Sequence, residues 1–91
     1  MAKYKIVIKK DAQKFLDNHL ELKTKALKIL NFIADNTENN MKLFDIKTMQ
    51  SYKNRYRLRI ASYRIVFDKI DNEFIITVVR AGNRGDIYKG L

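Results

Sequence analysis

The chain has 91 residues, no cysteine and a formal net charge of +9. This length predicts one domain, spanning residues 1–91, of modest stability. The lack of cysteine excludes a disulfide framework, a thiolate zinc site and a cysteine nucleophile. No run of 18 apolar residues is present, and the lysine-flanked start is typical of a strand rather than a signal peptide, so we expect a cytoplasmic protein without a membrane span.

The positive charge is concentrated in the second half of the chain. Residues 1–45 have a net charge of +3, residues 46–91 have a net charge of +6, and all six arginines lie between residues 55 and 84. This asymmetry favours a polyanionic partner, such as nucleic acid, an acidic protein segment or an anionic membrane. Charge that only keeps a small protein soluble would explain the total equally well.

Hydrophobic periodicity predicts a strand and two helices in the first half. Tyr4, Ile6 and Ile8 alternate with lysines, which indicates a strand with one exposed face. Asp11 is the expected N-cap of a short helix. Apolar residues at helical spacing then mark two antiparallel helices, joined near residues 19–21 and ended by ADNTENN. The following MKLFDIKTMQ is expected to form a short edge strand.

Three further strands are predicted after residue 54. RYRLRI alternates arginines with apolar residues, and in YRIVFD the residues Tyr63, Ile65 and Phe67 alternate with Arg64, Val66 and Asp68. EFIITVVRA is a nearly continuous apolar run, as expected of a strand covered on both faces or central in a sheet. Turns are expected at residues 61–62 and 71–72. The order predicts an α+β domain with an N-terminal strand, a two-helix hairpin and an antiparallel sheet of three to four strands, with the helices on one face. The expected core contains Leu58, Ile65 and Ile76, covered by Phe15 and Ile29.

The arginines on these strands are the main candidates for function. Arg57 and Arg59 share the strand face opposite Leu58, and Arg64 is expected beside Arg59 across the hairpin. Like charges placed side by side repel, so the cluster costs stability unless an anion neutralises it. The planar donor groups of arginine match phosphate. The alternative is a solvated face with salt bridges, for which the sequence offers few nearby acids.

The sequence lacks the residues that other classes of catalytic site require. His19 is the only histidine, and neither Ser51 nor Ser62 has a histidine nearby to activate it. No metal site and no cofactor is expected, and GNRG lacks the spacing of a phosphate-binding P-loop. An enzyme built from arginine, lysine and tyrosine would act on a phosphate, and RNA supplies its own nucleophile, the 2′-OH.

The segment YRLRIASYRIVFDKIDNEFIITVVRAGNRGDIY closely resembles the C-terminal sheet of the RelE/ParE toxin superfamily, and the N-terminal strand and helical hairpin agree with that fold. The ending GNRGDIY is more similar to the RelE branch, which cleaves mRNA in the ribosomal A site, than to the ParE branch, which poisons DNA gyrase. The resemblance implies a type II toxin that acts as a ribosome-dependent, metal-independent mRNA endonuclease leaving 2′,3′-cyclic phosphate ends. It implies a cognate antitoxin, the ribosome and mRNA as partners, and no membrane. A gyrase inhibitor and an inactive RNA-binding relative stay open as alternatives.

Site residues follow from the same resemblance. The positions that match catalytic residues of the family are Arg57, Arg59, Arg64, Arg84 and Tyr88. The additional residues predicted to bind RNA are Arg55, Lys53, Lys47 and Asn83. Many relatives have a histidine at the position of Asn83, where it serves as acid or base. Because arginine stays protonated, Arg57 and Arg59 are poor general bases, and the sequence leaves the proton-transfer groups open.

Overall fold

A computed structural model of the chain describes residues 3–35 and 37–83. The elements in chain order are β1 (Lys5–Ile8), α1 (Lys10–Asp17), α2 (Leu20–Asp35), α3 (Thr37–Asn40), a 3-10 turn (Met41–Leu43), β2 (Ile46–Thr48), β3 (Arg55–Ile60), β4 (Tyr63–Ile70) and β5 (Ile75–Asn83). Among the described residues, no helix has the length and apolar character needed to cross a lipid bilayer.

The strands form one five-stranded sheet in the order β1-β5-β4-β3-β2. β2 to β5 are paired antiparallel, whereas β1 lies parallel to β5 at one edge. The helical hairpin between β1 and the later strands supplies the long connection that a parallel pair needs. The predicted α+β fold is confirmed. The sheet is wider than the three to four strands expected, because β1 and β2 join its opposite edges.

The hydrophobic core lies between the two long helices and one face of the sheet. Leu58, Ile65 and Ile76 are fully buried, and Phe15 and Ile29 pack against the core from the helices with part of their surface exposed. Period two on the strands and helical spacing on α1 and α2 point these side chains toward each other. The predicted core assignment is therefore confirmed.

The first helix begins two residues earlier than an Asp11 N-cap requires, so that prediction is wrong. The backbone N–H of Lys9 donates to the carbonyl oxygen of Val78 at 2.9 Å, which extends the pairing of β1 with β5 by one residue. Lys9 is accordingly extended, with φ −69° and ψ 155°, and serves as the N-cap without a side-chain bond. Asp11 instead lies in the first turn of α1, where a negative charge suits the helix dipole.

A β-bulge in β5 changes which side chains face the helices. Val66 is the partner of Arg80 and Phe67 is the partner of Val78, so Val79 has no partner on β4. Before the bulge, Val78 faces the core. After the bulge the alternation is reversed, so Ala81 faces the core while Arg80 lies on the opposite face.

Candidate nucleic-acid interface

The face of the sheet opposite the helices carries a cluster of arginines from three adjacent strands. We call this surface the arginine face. In the described part of the chain, its arginines are Arg55, Arg57 and Arg59 on β3, Arg64 on β4 and Arg80 on β5. Alternation along β3 places its three arginines on one side and the core residue Leu58 on the other. The predicted position of the arginines, away from the helices, is confirmed.

Arg59 and Arg64 form the first cross-strand row of this face. They are direct partners in the β3–β4 ladder, as expected from the sequence, and Gly82 of β5 follows them in the same row. Direct partners have Cβ atoms about 5 Å apart, so both guanidinium groups can reach the oxygens of one phosphate. Gly82 has no side chain, so none occupies the β5 end of this row next to Arg64.

A second row runs beside the first and crosses four strands. It consists, in order, of Lys47, Arg57, Val66 and Arg80. Lys47 is exposed, Arg57 and Arg80 are half-buried, and Val66 is fully buried between the positions of the two arginines. This row therefore adds three cations next to the Arg59–Arg64 pair, and the field of the two rows favours a polyanion.

Arg80 is a member of the arginine face that sequence reasoning missed. In the sequence it ends a continuous apolar run, IITVVR, and simple alternation from Ile76 would point it into the core. The bulge at Val79 turns it to the opposite side. The available signal was chemical, because an arginine at the end of a buried strand needs either a partner or an exposed face.

Two carboxylates neutralise part of the arginine face. Asp68 accepts hydrogen bonds from Arg55 Nε at 2.7 Å and from Arg55 Nη2 at 3.0 Å. This bidentate bond raises the pKa of Arg55 above its already high ordinary value. Asp45 lies 3.9 Å from Arg59 Nη1, a looser contact between two exposed groups. Among the described residues no carboxylate pairs with Arg64, whose Nη1 donates to the carbonyl oxygen of Tyr63 at 3.3 Å.

The other predicted RNA-binding residues are placed less closely together. Lys53 is exposed in the β2–β3 loop. Asn83 is the partner of Tyr63 and directly follows Gly82, the partner of Arg64, so alternation places Asn83 on the face opposite Arg64. Asn83 lines a cavity against α1, and Arg80 and Gly82 of β5 line it together with Asp11 and Lys14. The predicted catalytic residues Arg84 and Tyr88 lie outside the described residues.

The only histidine, His19, lies in the short connection between α1 and α2. The His19 ring stacks on Phe15 at 4.1 Å between centroids and meets the edge of Tyr63 at 5.6 Å. Its Nδ1 lies 2.9 Å from the carbonyl oxygen of Phe15, so Nδ1 carries the donated proton. Within the described part of the chain, the arginine face thus has cations that stabilise negative charge and no histidine that moves a proton. The described residues also contain no group of three or more histidine, aspartate or glutamate side chains placed to hold a metal ion.

Comparison with known proteins gives matches in both branches of one superfamily. The profile of the family described as the ParE toxin of the type II toxin–antitoxin system, parDE, matches residues 6–88. No curated protein sequence matches the chain.

Solved structures of RelE toxins share the fold. The RelE–RelB complex from the archaeon Pyrococcus horikoshii matches with a TM-score of 0.68 and 22% identity, over 93% of this chain and 98% of that chain. The RelB–RelE complex from Methanococcus jannaschii matches with a TM-score of 0.66 and 27% identity, over 90% and 94%. The free Escherichia coli toxin RelE, as a double arginine-to-alanine mutant, matches with a TM-score of 0.67 and 18% identity, over 94% and 90%.

These matches cover nearly all of the chain. The profile covers almost the whole chain, from β1 to beyond the end of β5. The structural matches likewise extend over nine-tenths or more of the chain. The chain therefore belongs to the ParE toxin family of type II toxin–antitoxin systems, within the RelE/ParE toxin superfamily.

Proposed function

We propose that this toxin is an endoribonuclease that cleaves mRNA on the ribosome, in the cytoplasm, without a metal ion or cofactor. The observation that carries the proposal is the direct pairing of Arg59 with Arg64 beside the row that contains Arg57 and Arg80. Two like charges paired directly across adjacent strands cost stability, and a phosphodiester bound between Arg59 and Arg64 would relieve the repulsion.

The chemistry of RNA cleavage suits such a surface. The ribose 2′-oxygen attacks the neighbouring phosphorus, and the bond from phosphorus to the 5′-oxygen of the next nucleotide breaks. Negative charge grows on the non-bridging oxygens and on the leaving oxygen, where fixed guanidinium donors are most effective. Because the 2′-oxygen stays bonded to phosphorus, the upstream fragment ends in a 2′,3′-cyclic phosphate.

Each arginine then has a distinct role. We assign Arg57 and Arg59 to orienting the RNA backbone, and Arg64 to stabilising the charge of the transition state. Removal of the 2′-OH proton needs another group, because arginine does not deprotonate at neutral pH. We assign proton transfer to groups outside the described residues, with Tyr88 as the candidate within this chain, and assign Arg84 a further phosphate contact.

We propose four additional residues as RNA contacts: Arg55, Lys53, Lys47 and Asn83. Asp68 already accepts from two of the five N–H donors of Arg55 and neutralises its charge, which weakens its attraction for a phosphate. Lys47 is better placed, because it is exposed at the end of the row that contains Arg57. We therefore expect Lys47 to contribute more to RNA affinity than Arg55.

A cognate antitoxin is the second proposed partner. The structures from Pyrococcus horikoshii and Methanococcus jannaschii are complexes of a RelE toxin with a RelB antitoxin. With a net charge of +9, this chain would best accept an antitoxin segment that carries acidic residues toward the arginine face. Covering that face would neutralise the toxin by excluding RNA.

Inhibition of DNA gyrase is the second candidate function, and one observation favours it. The profile that matches residues 6–88 is described as the ParE toxin of parDE systems, and the ParE branch is the one that poisons gyrase. That function needs a binding surface but no phosphodiester cleavage. It would not require Arg59 and Arg64 to act together on one phosphate.

One parallel experiment separates the two functions. The purified toxin is added to ribosomes programmed with a defined mRNA, and in a second reaction to DNA gyrase with relaxed plasmid. We expect new mRNA 5′ ends with cyclic phosphate on the upstream fragments, and normal supercoiling. An Arg59→Ala/Arg64→Ala variant should lose cleavage, whereas Lys25→Ala/Lys28→Ala, with the same loss of charge from α2, should retain it. Blocked supercoiling with intact mRNA would replace the proposal with the gyrase candidate.

A further inference from the structure

A small cavity borders the arginine face at the β2–β3 loop. Its volume is about 320 Å³, near the lower end of the roughly 300–1,000 Å³ that small-ligand sites span. Its walls include Lys47, Thr48, Ser51, Tyr52 and Arg57. No acidic side chain is among the described residues that line it. Two cations, the hydroxyl groups of Thr48 and Ser51, and the phenol ring of Tyr52 are therefore among the groups that surround this cavity.

The aromatic ring of Tyr52 in this cavity packs against the guanidinium group of Arg55. The guanidinium carbon of Arg55 lies 4.4 Å from the centre of the Tyr52 ring. Arg55 in turn is held by the bidentate bond to Asp68, and its side chain is only 16% exposed. Tyr52 itself is 36% exposed. A partly buried ion pair thus holds a cation against the ring of Tyr52.

Backbone hydrogen bonds keep the loop that carries Tyr52 in one conformation. The N–H of Met49 donates to the carbonyl oxygen of Arg55 at 3.0 Å, and the N–H of Tyr52 donates to that of Met49 at 3.1 Å. Asn54, at φ 64°, accepts a bond from the N–H of Lys69 on β4 at 2.9 Å. The loop is therefore tied both to itself and to the sheet, so a ligand would not have to order it.

We propose that this cavity is a nucleotide subsite, in which a base of single-stranded RNA stacks on Tyr52 while its phosphate contacts Lys47 and Arg57. Stacking on an aromatic ring accepts any base, and neighbouring cations hold the backbone. The subsite deepens the proposed function, on which it rests, because it would hold a nucleotide next to the phosphate on the Arg59–Arg64 pair. It makes Tyr52 a positioning residue outside the catalytic set.

The test is binding of a 2′-O-methyl oligonucleotide that carries the fluorescent base 2-aminopurine at successive positions. The probe lacks the attacking 2′-OH, so it reports binding without cleavage. One position should be quenched by wild-type toxin and by Tyr52→Phe, but not by Tyr52→Leu. Tyr52→Leu should bind about 5- to 140-fold more weakly, the equivalent of about 1 to 3 kcal/mol of stacking. Phe32→Leu, which removes a 46% exposed ring from α2, should bind like the wild type.

Salt dependence separates loss of stacking from damage to the cationic surface. Tyr52→Leu should leave the slope of log affinity against log salt unchanged, whereas Lys47→Ala should reduce it by about 0.7. Wild-type affinity for Tyr52→Leu, or an equal loss for Tyr52→Phe, would overturn the subsite even if the toxin cleaves mRNA. Tyr52-dependent binding of poly-glutamate but not of the oligonucleotide would assign the cavity to an acidic protein segment and overturn it too. Quenching by a toxin that cuts no mRNA would instead leave the subsite standing and remove the proposed nuclease.

Discussion

Arg59 and Arg64 are direct cross-strand partners, so the fold places two positive charges opposite each other in adjacent strands. Asp45 approaches Arg59 only to 3.9 Å, and no carboxylate in the described part of the chain pairs with Arg64. Like charges in this arrangement destabilise a sheet. The pair is therefore expected to serve a ligand at some cost to stability.

Removing one of these charges should stabilise the free toxin. For Arg64→Thr, which keeps a residue suited to a strand, we expect the free energy of unfolding to rise by about 0.2–1 kcal/mol at low salt. The gain should shrink as salt screens the repulsion. Urea unfolding of both proteins at low and high salt measures the effect. A destabilised Arg64→Thr at low salt would show that Arg64 holds the fold together.

The core should respond very differently to truncation. Leu58 is fully buried on the opposite side of β3, so Leu58→Ala should lower the free energy of unfolding by about 2–5 kcal/mol. Leu43→Ala removes the same atoms from a residue that is 66% exposed, and should change stability by less than about 0.5 kcal/mol. Equal denaturation midpoints for the two variants would contradict the assignment of the buried face.

Asp71 should give a small contribution to stability that depends on pH. Its carboxylate accepts hydrogen bonds from Lys69 Nζ at 2.8 Å and from Tyr4 Oη at 2.6 Å, and these bonds lower the pKa of Asp71 below 3.8. A carboxyl group whose pKa is lower in the folded state stabilises the fold fully at pH values above its unfolded-state pKa. This stabilisation is lost as the pH falls through the folded-state pKa.

We therefore expect Asp71→Asn to lower the free energy of unfolding by less than about 1 kcal/mol at pH 7, because the Asp71 side chain is 62% exposed. The difference from wild type should begin to shrink near pH 3.8 and vanish below the folded-state pKa. Unfolding midpoints between neutral and acid pH provide the measurement. Glu73→Gln, a change of the same charge in the same turn, is the control. A difference that grows toward acid pH would contradict the proposed sign.

Association with the proposed antitoxin should be steered by charge. If an acidic antitoxin segment approaches the arginine face, its association rate constant should fall as salt increases, while the dissociation rate constant changes less. Stopped-flow mixing at several salt concentrations measures both. The Arg59→Ala/Arg64→Ala variant should show a weaker salt dependence than Lys25→Ala/Lys28→Ala. Identical salt dependence in the two variants would place the antitoxin elsewhere.

The sequence predicted those parts of the fold that depend on regular periodicity. Alternation in β3 and β4 was sufficient to place Arg59 beside Arg64 and Leu58 in the core. It failed at Arg80, because a bulge at Val79 depends on how β5 fits β4 and leaves no mark in the pattern of apolar residues. It also failed at Asp11, because pairing of Lys9 with distant Val78 sets where the helix begins.

Pairing between charged residues was equally hard to predict from the sequence. Asp68 is one of the few acids near the arginines in the sequence, but only the register of β3 and β4 shows that Arg55 is its partner. The partner relationship matters for function, since it makes Arg55 a weaker candidate phosphate ligand and also a support for Tyr52. Long-range register of this kind depends on the whole sheet, whereas local patterns determine only which side of a strand a residue faces.

Single-turnover cleavage on programmed ribosomes tests most directly the claim that the arginine face stabilises the transition state. Arg64→Ala should still bind the ribosome but cut about 100- to 1,000-fold more slowly, the effect of losing one donor to a developing negative charge. Lys28→Ala, which removes one charge from the exposed side of α2, should cut at the wild-type rate. Cleavage by Arg64→Ala at the wild-type rate would contradict the claim.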